Sequence, residues 1–212
     1  MQENTSLKEM KINLFGAGDH GKVVWDMMQT MNLKVNKFYD DEPKENDFEG
    51  TEILTSGKVW DSEGEFVISI GDNLTRKRIA HMLVQKGISF SNIISDKAIL
   101  APSVIMGSGN VVGHGAIVQI GSKIGSHCII NTGAIVEHEC EIGDYVHIAP
   151  GATLCGKIHV GEGSWVGAGS VIIPGVKIGK WSVVGAGSVV LKDIPDNVVA
   201  FGNPVEIFRN IK

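Results

Sequence analysis

The sequence predicts two joined folds: a small parallel α/β sheet of βαβ type, followed by a β-helix coiled from hexapeptides. Three observations carry this. Gly16, Gly18 and Gly21 form a G-x-G-x-x-G turn between an apolar run and a helical pattern. Stepping six residues at a time from Ile94 through Leu100, Met106 and Val112 to Val184 and Val190 meets an aliphatic residue or Met at every stop. Small or aliphatic residues recur four places after the stops, as at Ala98, Ala116, Cys128, Ala134 and Ser164. A period of six fits neither a helix nor an alternating strand. It fits one short strand and one turn per hexapeptide, with three hexapeptides per coil of a triangular prism. Successive coils then lie about 4.8 Å apart in parallel register.

In chain order, residues 1–10 are polar and expected to be frayed. Lys11 to Phe15 reads as a buried strand. The glycine turn follows, and then Val23, Val24, Met27, Met28 and Met31 at helical spacing. This is the setting of a Rossmann-like turn. Leu33 to Tyr39 is a second strand ending in Asp40 and Asp41, where acidic residues of such sheets meet a ribose. A short strand is expected at Glu52–Leu54 and a longer one at Phe66–Ile70. Asp72 or Asn73 caps a helix whose inner face carries Ile79, Met82 and Leu83 and which stops at Gly87. Arg76, Lys77 and Arg78 on this helix read as a solvated face. Ser89 to Ile93 is expected as a last strand, which places a domain boundary near 93.

Three polar clusters therefore converge at strand carboxyl ends: Gly18 with His20, Asp40 with Asp41, and Gly71 with Asn73. Ligands of open parallel sheets bind there. NAD is one candidate, but half a dinucleotide fold leaves no room for the nicotinamide half. A nucleotide-sugar needs only one nucleotide site. Packing of helix on strand is the alternative use of the glycines.

Of 212 residues, 43% are hydrophobic, enough for a core, and the net charge of −5 argues against nucleic acid or an anionic membrane as partner. No stretch is long and apolar enough for a membrane-spanning helix, and the first residues lack the layout of a signal peptide. Cys128, Cys140 and Cys155 all fall within the repeat, without CxxC spacing. They read as small packing residues in a reducing, cytoplasmic setting.

Chemistry concentrates in Ile130–Ala152. Acyl transfer to an amine needs a base, a positioned thioester and an oxyanion donor. His138 stands between Glu137 and Glu139, two residues after the stop Val136, so it points outward from a corner. Gly156 lies eighteen residues on, one coil away on the same corner, where an amide can approach a thioester carbonyl without a β-carbon in the way. Ala168 and Ala186, after Gly167 and Gly185, form a ladder of small residues suited to a pantetheine arm. His114, His127 and His159 read as facing solvent or interfaces. Trp165 and Trp181 lie off the interior positions and are expected to bury against a neighbouring subunit, with adenine stacking as the alternative.

GAGDHGKVV at Gly16–Val24, Tyr39–Asp41, Ile70–Asn73 and the whole repeat resemble the nucleotide-aminosugar N-acetyltransferases and the sialic acid O-acetyltransferases. The resemblance covers nearly the entire chain. It implies a left-handed parallel β-helix, a homotrimer, acetyl-CoA as cosubstrate and no metal. It implies residues 1–93 as the Rossmann-like nucleotide-sugar-binding domain and residues 94–212 as the acyltransferase domain with a C-terminal cap. By the same resemblance His138 is the general base, Glu139 its orienting partner, and Gly156 the amide donor. His147, Ala168 and Ala186 contact CoA; for His147, packing at a subunit interface is the alternative. Asp19 departs from the Gly or Ser of many relatives and bears on contacts to the substrate's phosphates. Val205 stands where the family's terminal GNPA segment has Ala.

The γ-class carbonic anhydrases use a similar prism, but two of their zinc-binding histidines are five residues apart. No pair here has that spacing. The expected reaction is direct N-acetylation of a UDP-linked 4-amino-4,6-dideoxy sugar. Sialic acid O-acetylation and a non-enzymatic nucleotide-sensing scaffold are the alternatives.

Overall fold

The computed structural model describes residues 11–45 and 47–211. The polar leader, residues 1–10, lies outside them. The N-terminal unit contains β1 (Ile12–Phe15), α1 (Asp19–Thr30), β2 (Val35–Tyr39), β3 (Asp47–Phe48), β4 (Thr51–Leu54), β5 (Glu65–Ile68) and α2 (Asn73–Gln85). The strands are ordered β3-β4-β2-β1-β5, and all neighbours are parallel except β3 with β4. Without its β3 edge, this is the order of one half of a doubly wound sheet. On one face α1 buries Val24, Met27 and Met28 against Ile12, Leu14 and Phe38. On the other α2 buries Ile79, Ala80 and Leu83 against Phe15, Phe66 and Ile68. Asp72 caps α2, its carboxylate accepting from the Thr75 amide at 2.8 Å.

The expected last strand, Ser89–Ile93, does not form as one piece. Phe90 makes a single bridge to Phe66, and Ile93–Ile94 already pairs with Val111–Val112 as the first strand of the prism. The prism's first coil captures the end of that segment before it can extend along β5.

From there, strands of two residues pair in parallel with those eighteen residues on, as Ile117 with Ile135 and Ile135 with Thr153. Three faces result, and their outward residues differ. The joint face runs from Ile93–Ile94 to Val183–Val184 and turns Ile93, Val111 and Ile129 into the same core as Ile12 and Leu14 of the sheet. The apolar face, from Ile99–Leu100 to Val189–Val190, shows Ile99, Ile117, Ile135, Thr153, Val171 and Val189, and Ile99 is 63% exposed. The charged face, from Ile105–Met106 to Lys177–Ile178, carries Lys123, Glu141, His159 and Lys177. Lys123 pairs with Glu141 at 3.2 Å and His159 with Glu141 at 3.7 Å.

Inside, the stops from Val112 to Val190 are all buried in one core. Ile94 departs from the pattern at 36% exposed, with Leu100 and Met106 half-buried, because no coil lies beneath the first one. At the other end Val198–Gly202 continues the joint face beside Val183–Val184 and turns back antiparallel as Val205–Asn210. Val198, Ala200 and Val205 close the core there.

Candidate functional site

The three strand ends of the N-terminal unit meet as the sequence reading required, but the glycines divide the work. Gly16 has φ +116°, and a β-carbon there would strike Ser69 and Ile70 at the neighbouring strand end. A β-carbon on Gly21 would strike the Gly16 carbonyl. These two serve close packing. Gly18 has open space around it and begins α1 with no side-chain cap, leaving first-turn amides available to an anion. Asp40 locks the turn: its carboxylate accepts from the Ala17 and Glu42 amides at 2.8 and 2.9 Å. Asp41 accepts from the Ser56 amide at 2.7 Å. A polar depression over Gly18 is lined by Lys22 and Lys44 together with the acids Asp19, Glu45, Asp47 and Glu49, and Lys44 pairs with Asp19 at 3.5 Å. The sequence reading missed the two lysines. Lys22, four residues after Gly18 on the same helix face, carried a legible signal; Lys44 is brought by a loop and carried none.

Asn73 behaves differently from the expectation of a substrate contact. Its amide donates to the Gly163 and Ser164 carbonyls of the prism at 3.0 and 3.2 Å. Its oxygen accepts from Arg76 at 2.7 Å. Asn73 thus fastens the two parts of the chain together.

Arg76 is the centre of that joint and corrects the reading of a solvated Arg-Lys-Arg face. It is 1% exposed. Its guanidinium donates to the His127 and Tyr145 carbonyls, both at 2.8 Å, and to the Ile70 and Gly71 carbonyls at 2.9 and 3.0 Å. Burial pushes its pKa down to about 10, so the charge persists at neutral pH. Lys77 pairs with Glu162 at 2.5 Å and lies 4.9 Å from the Trp181 ring centroid. Of the three, only Arg78 is exposed.

The same joint takes in three histidines, His127 and His147 buried and His20 half-buried. His147 lies 3.4 Å from the Gly71 carbonyl through Nδ1 and 3.1 Å from the Asn131 amide through Nε2. Its ring packs on Trp165 at 4.2 Å and faces His20 at 6.2 Å. His127, expected at solvent or an interface between subunits, instead stacks on Tyr145 at 5.3 Å under Phe90. Trp165 and Trp181 likewise pack within the chain. Among the described residues, His20 Nε2 and His127 Nδ1 meet no hydrogen-bond partner. Burial first, and the Arg76 charge after it, pushes His20 and His127 down to about 4 and His147 to about 3. All three are neutral imidazoles at neutral pH.

This has a measurable consequence. Unfolded, these histidines titrate near 6.5, so between that value and about 4 the unfolded chain binds more protons than the folded one. Their stabilising contribution is whole above about pH 6.5 and is lost as pH falls toward 4. We expect a lower melting temperature at pH 5 than at pH 7.5 by calorimetry; equal values would refute the buried neutral histidines.

The candidate acyl-transfer groups stand on another part of the prism. His138 and Glu139 turn the corner between the apolar and charged faces, half exposed, with His138 Nδ1 3.2 Å from Glu139 Oε2 and Lys157 Nζ 3.7 Å from the same oxygen. The His138 ring lies against Gly156, where a β-carbon would collide with its Cε1 and Nε2. A glycine is required there. Gly167, Ala168, Gly185 and Ala186 turn the other edge of the apolar face, and Ala168 and Ala186 are exposed. Among the described residues the amides of Gly156, Ala168 and Ala186 donate to no other backbone group. The three cysteines are free, and burial holds the Cys128 thiol at about 12. Among the described residues no helix is long and apolar enough to cross a membrane.

Residues 11–83 match the PglD N-terminal domain, and residues 121–156 and 157–192 match the bacterial transferase hexapeptide (six repeats). The structure superposes on perosamine N-acetyltransferase from Caulobacter crescentus, solved with CoA and GDP-perosamine, at a TM-score of 0.89 and 33% identity over 94% of this chain and 97% of that one. It superposes on the acetyltransferase domain of PglB from Neisseria gonorrhoeae, solved with acetyl coenzyme A, at 0.87 and 31% over 94% and 99%. WeeI from Acinetobacter baumannii gives 0.84 and 27% over 94% and 100%. A curated relative, an uncharacterized protein of Acanthamoeba polyphaga mimivirus, is 30% identical over 103 residues, 47% of this chain; the match spans 20% of its own length.

Proposed function

This chain belongs to the sugar acetyltransferases of the hexapeptide-repeat, left-handed β-helix family, and from that premise we propose that it N-acetylates a nucleotide-linked 4-amino-4,6-dideoxy sugar, a UDP-linked one first. It is an acetyl-CoA-dependent sugar acetyltransferase, which sets aside the non-enzymatic scaffold. The observation that carries the finer reading is the His138–Glu139–Gly156 corner. Glu139 holds the Nδ1 proton of His138 and keeps Nε2 as the acceptor. Nε2 takes the proton of the sugar's amine as its nitrogen attacks the thioester carbonyl. The Gly156 amide donates to the developing oxyanion. When the C–S bond breaks, His138 returns the proton to the departing thiolate, leaving the amide and CoA. Variants of the Caulobacter crescentus enzyme with one histidine replaced by asparagine or alanine have been solved with CoA and GDP-perosamine, in keeping with a histidine of consequence in such proteins.

The nucleotide half of the substrate belongs, on this reading, at Gly18, Asp19, His20 and Gly71, with Lys22 and Lys44 toward the diphosphate. Asp40 and Asp41 shape that site through the turns they hold. His20 enters as a neutral imidazole with a free nitrogen, better suited to the sugar or its amine than to a diphosphate. His147 packs at the joint against Gly71, Trp165 and His20.

These strand ends sit over the joint face, whereas His138 sits across the apolar face from them. One chain therefore does not bring both halves together. A head-to-tail ring of three copies packed through the apolar face places the His138 corner of one copy beside the Ala168–Ala186 corner and strand ends of the next. Each acetyl-CoA then lies in the groove between two prisms. A thiol-release assay tests the reading with a UDP-linked 4-amino-4,6-dideoxy sugar, its GDP-linked counterpart and free sialic acid. We expect turnover of a nucleotide-linked amine and little of sialic acid. Preference for sialic acid, uncontested by added UDP, would establish the O-acetyltransferase alternative.

A further inference from the structure

We propose that Phe201, backed by Phe208, is the stacking platform for the adenine of CoA. The inference rests on the reading above, in which the pantetheine arm follows the corner of Ala168 and Ala186.

Phe201 stands on the next rung of that corner. Val199 and Ala200 pair with Val183 and Val184, so the residue after them falls over Gly185. A β-carbon on Gly185 would lie 2.6 Å from the Phe201 Cβ. The Gly202 amide, donating to Ser188 Oγ at 3.2 Å, holds the turn in place. Phe201 is 47% exposed and Phe208 65%, with ring centroids 5.1 Å apart. Closing the last coil does not need these rings, because Val198, Ala200 and Val205 already fill it. The other outward aromatic rings of the prism, Tyr145, Trp165 and Trp181, are engaged at the joint. That leaves this pair as the prism's available aromatic surface among the described residues.

The distance fits the ligand. At eighteen residues per coil, the Phe201 rung lies about three and a half coils beyond His138, or about 17 Å at ~4.8 Å per coil. A pantetheine arm has about as many chain bonds as four extended residues, about 14 Å, and the diphosphate makes up the remainder. A base stacks on an aromatic ring without hydrogen-bond readout, so the platform requires only an exposed ring.

The test compares two donors, acetyl-CoA and acetyl-pantetheine, which carries the same thioester without the nucleotide. In the parent enzyme acetyl-CoA is the better donor. Phe201→Ala is expected to lower the ratio of kcat/KM for acetyl-CoA to that for acetyl-pantetheine about tenfold. Phe201→Trp restores the ratio, and Phe208→Ala lowers it by less. Calorimetric melting of each variant separates a folding defect from a binding one. An unchanged ratio, or equal loss with both donors in a folded variant, overturns the platform and leaves the acetyltransferase reading intact. A parent enzyme that turned over neither donor with any amine would instead overturn the reading on which it rests.

Discussion

Replacing His138 with alanine lowers kcat by at least about a hundredfold at neutral pH and leaves the affinity for acetyl-CoA near that of the parent. Loss of a general base typically costs 10²–10⁴ in rate. On the proposed mechanism the affinity is spared because the imidazole meets the reacting amine, while the donor is held along the backbone of the prism. Glu139→Gln keeps a hydrogen-bond acceptor near Nδ1 but not its charge, and the loss is smaller. Single-turnover kinetics with a saturating amine acceptor, beside equilibrium binding of CoA, separates the two effects. Near-parental kcat in His138→Ala at pH 7 would mean that the amine arrives already deprotonated or that another base serves.

Arg76→Ala is the most damaging single change expected for stability, about 3–5 kcal/mol by urea denaturation, in the range of breaking a buried charged network. Four backbone carbonyls and the Asn73 side chain lose their donors together, and a buried acceptor left unpaired costs about 1–3 kcal/mol. Arg76→Lys does not rescue it, because an ammonium cannot fork toward Ile70 and Gly71 on one side and Tyr145 on the other. Arg78→Ala, two residues away and exposed, stays within about 0.5 kcal/mol of the parent. Arg76→Ala unfolding at the same urea concentration as Arg78→Ala would show that the joint contributes nothing to stability.

The prism was legible because its determinants are local: each stop packs on the stop one coil away, so a six-residue period carries the interior directly. The outward side of each strand has no such signature. Ile129, His147 and Trp165 look alike as outward positions, and only the docked sheet decides that they are covered. Arg76 was misread although a signal existed. The helical spacing that puts Ile79 and Leu83 inside also puts Arg76 and Ala80 there, at i, i+3, i+4 and i+7. Charge was weighed above position. The strand-end clusters were found through glycine and acid spacing, but the sequence could not tell that the Asn73 amide would grip Gly163 across the joint. That choice depends on the distance between two parts of the chain ninety residues apart.

The unequal ends of the coil stack affect how the molecule comes apart. Each coil touches only its neighbours, so the stack behaves as a row in which loss of order spreads from an end. Among the described residues nothing closes the end formed by Ile94, Leu100 and Met106, and the sheet shelters one side of it. The opposite end is sealed by the antiparallel turn-back. Backbone amides should therefore exchange with solvent soonest in the first coil and last toward the middle coils.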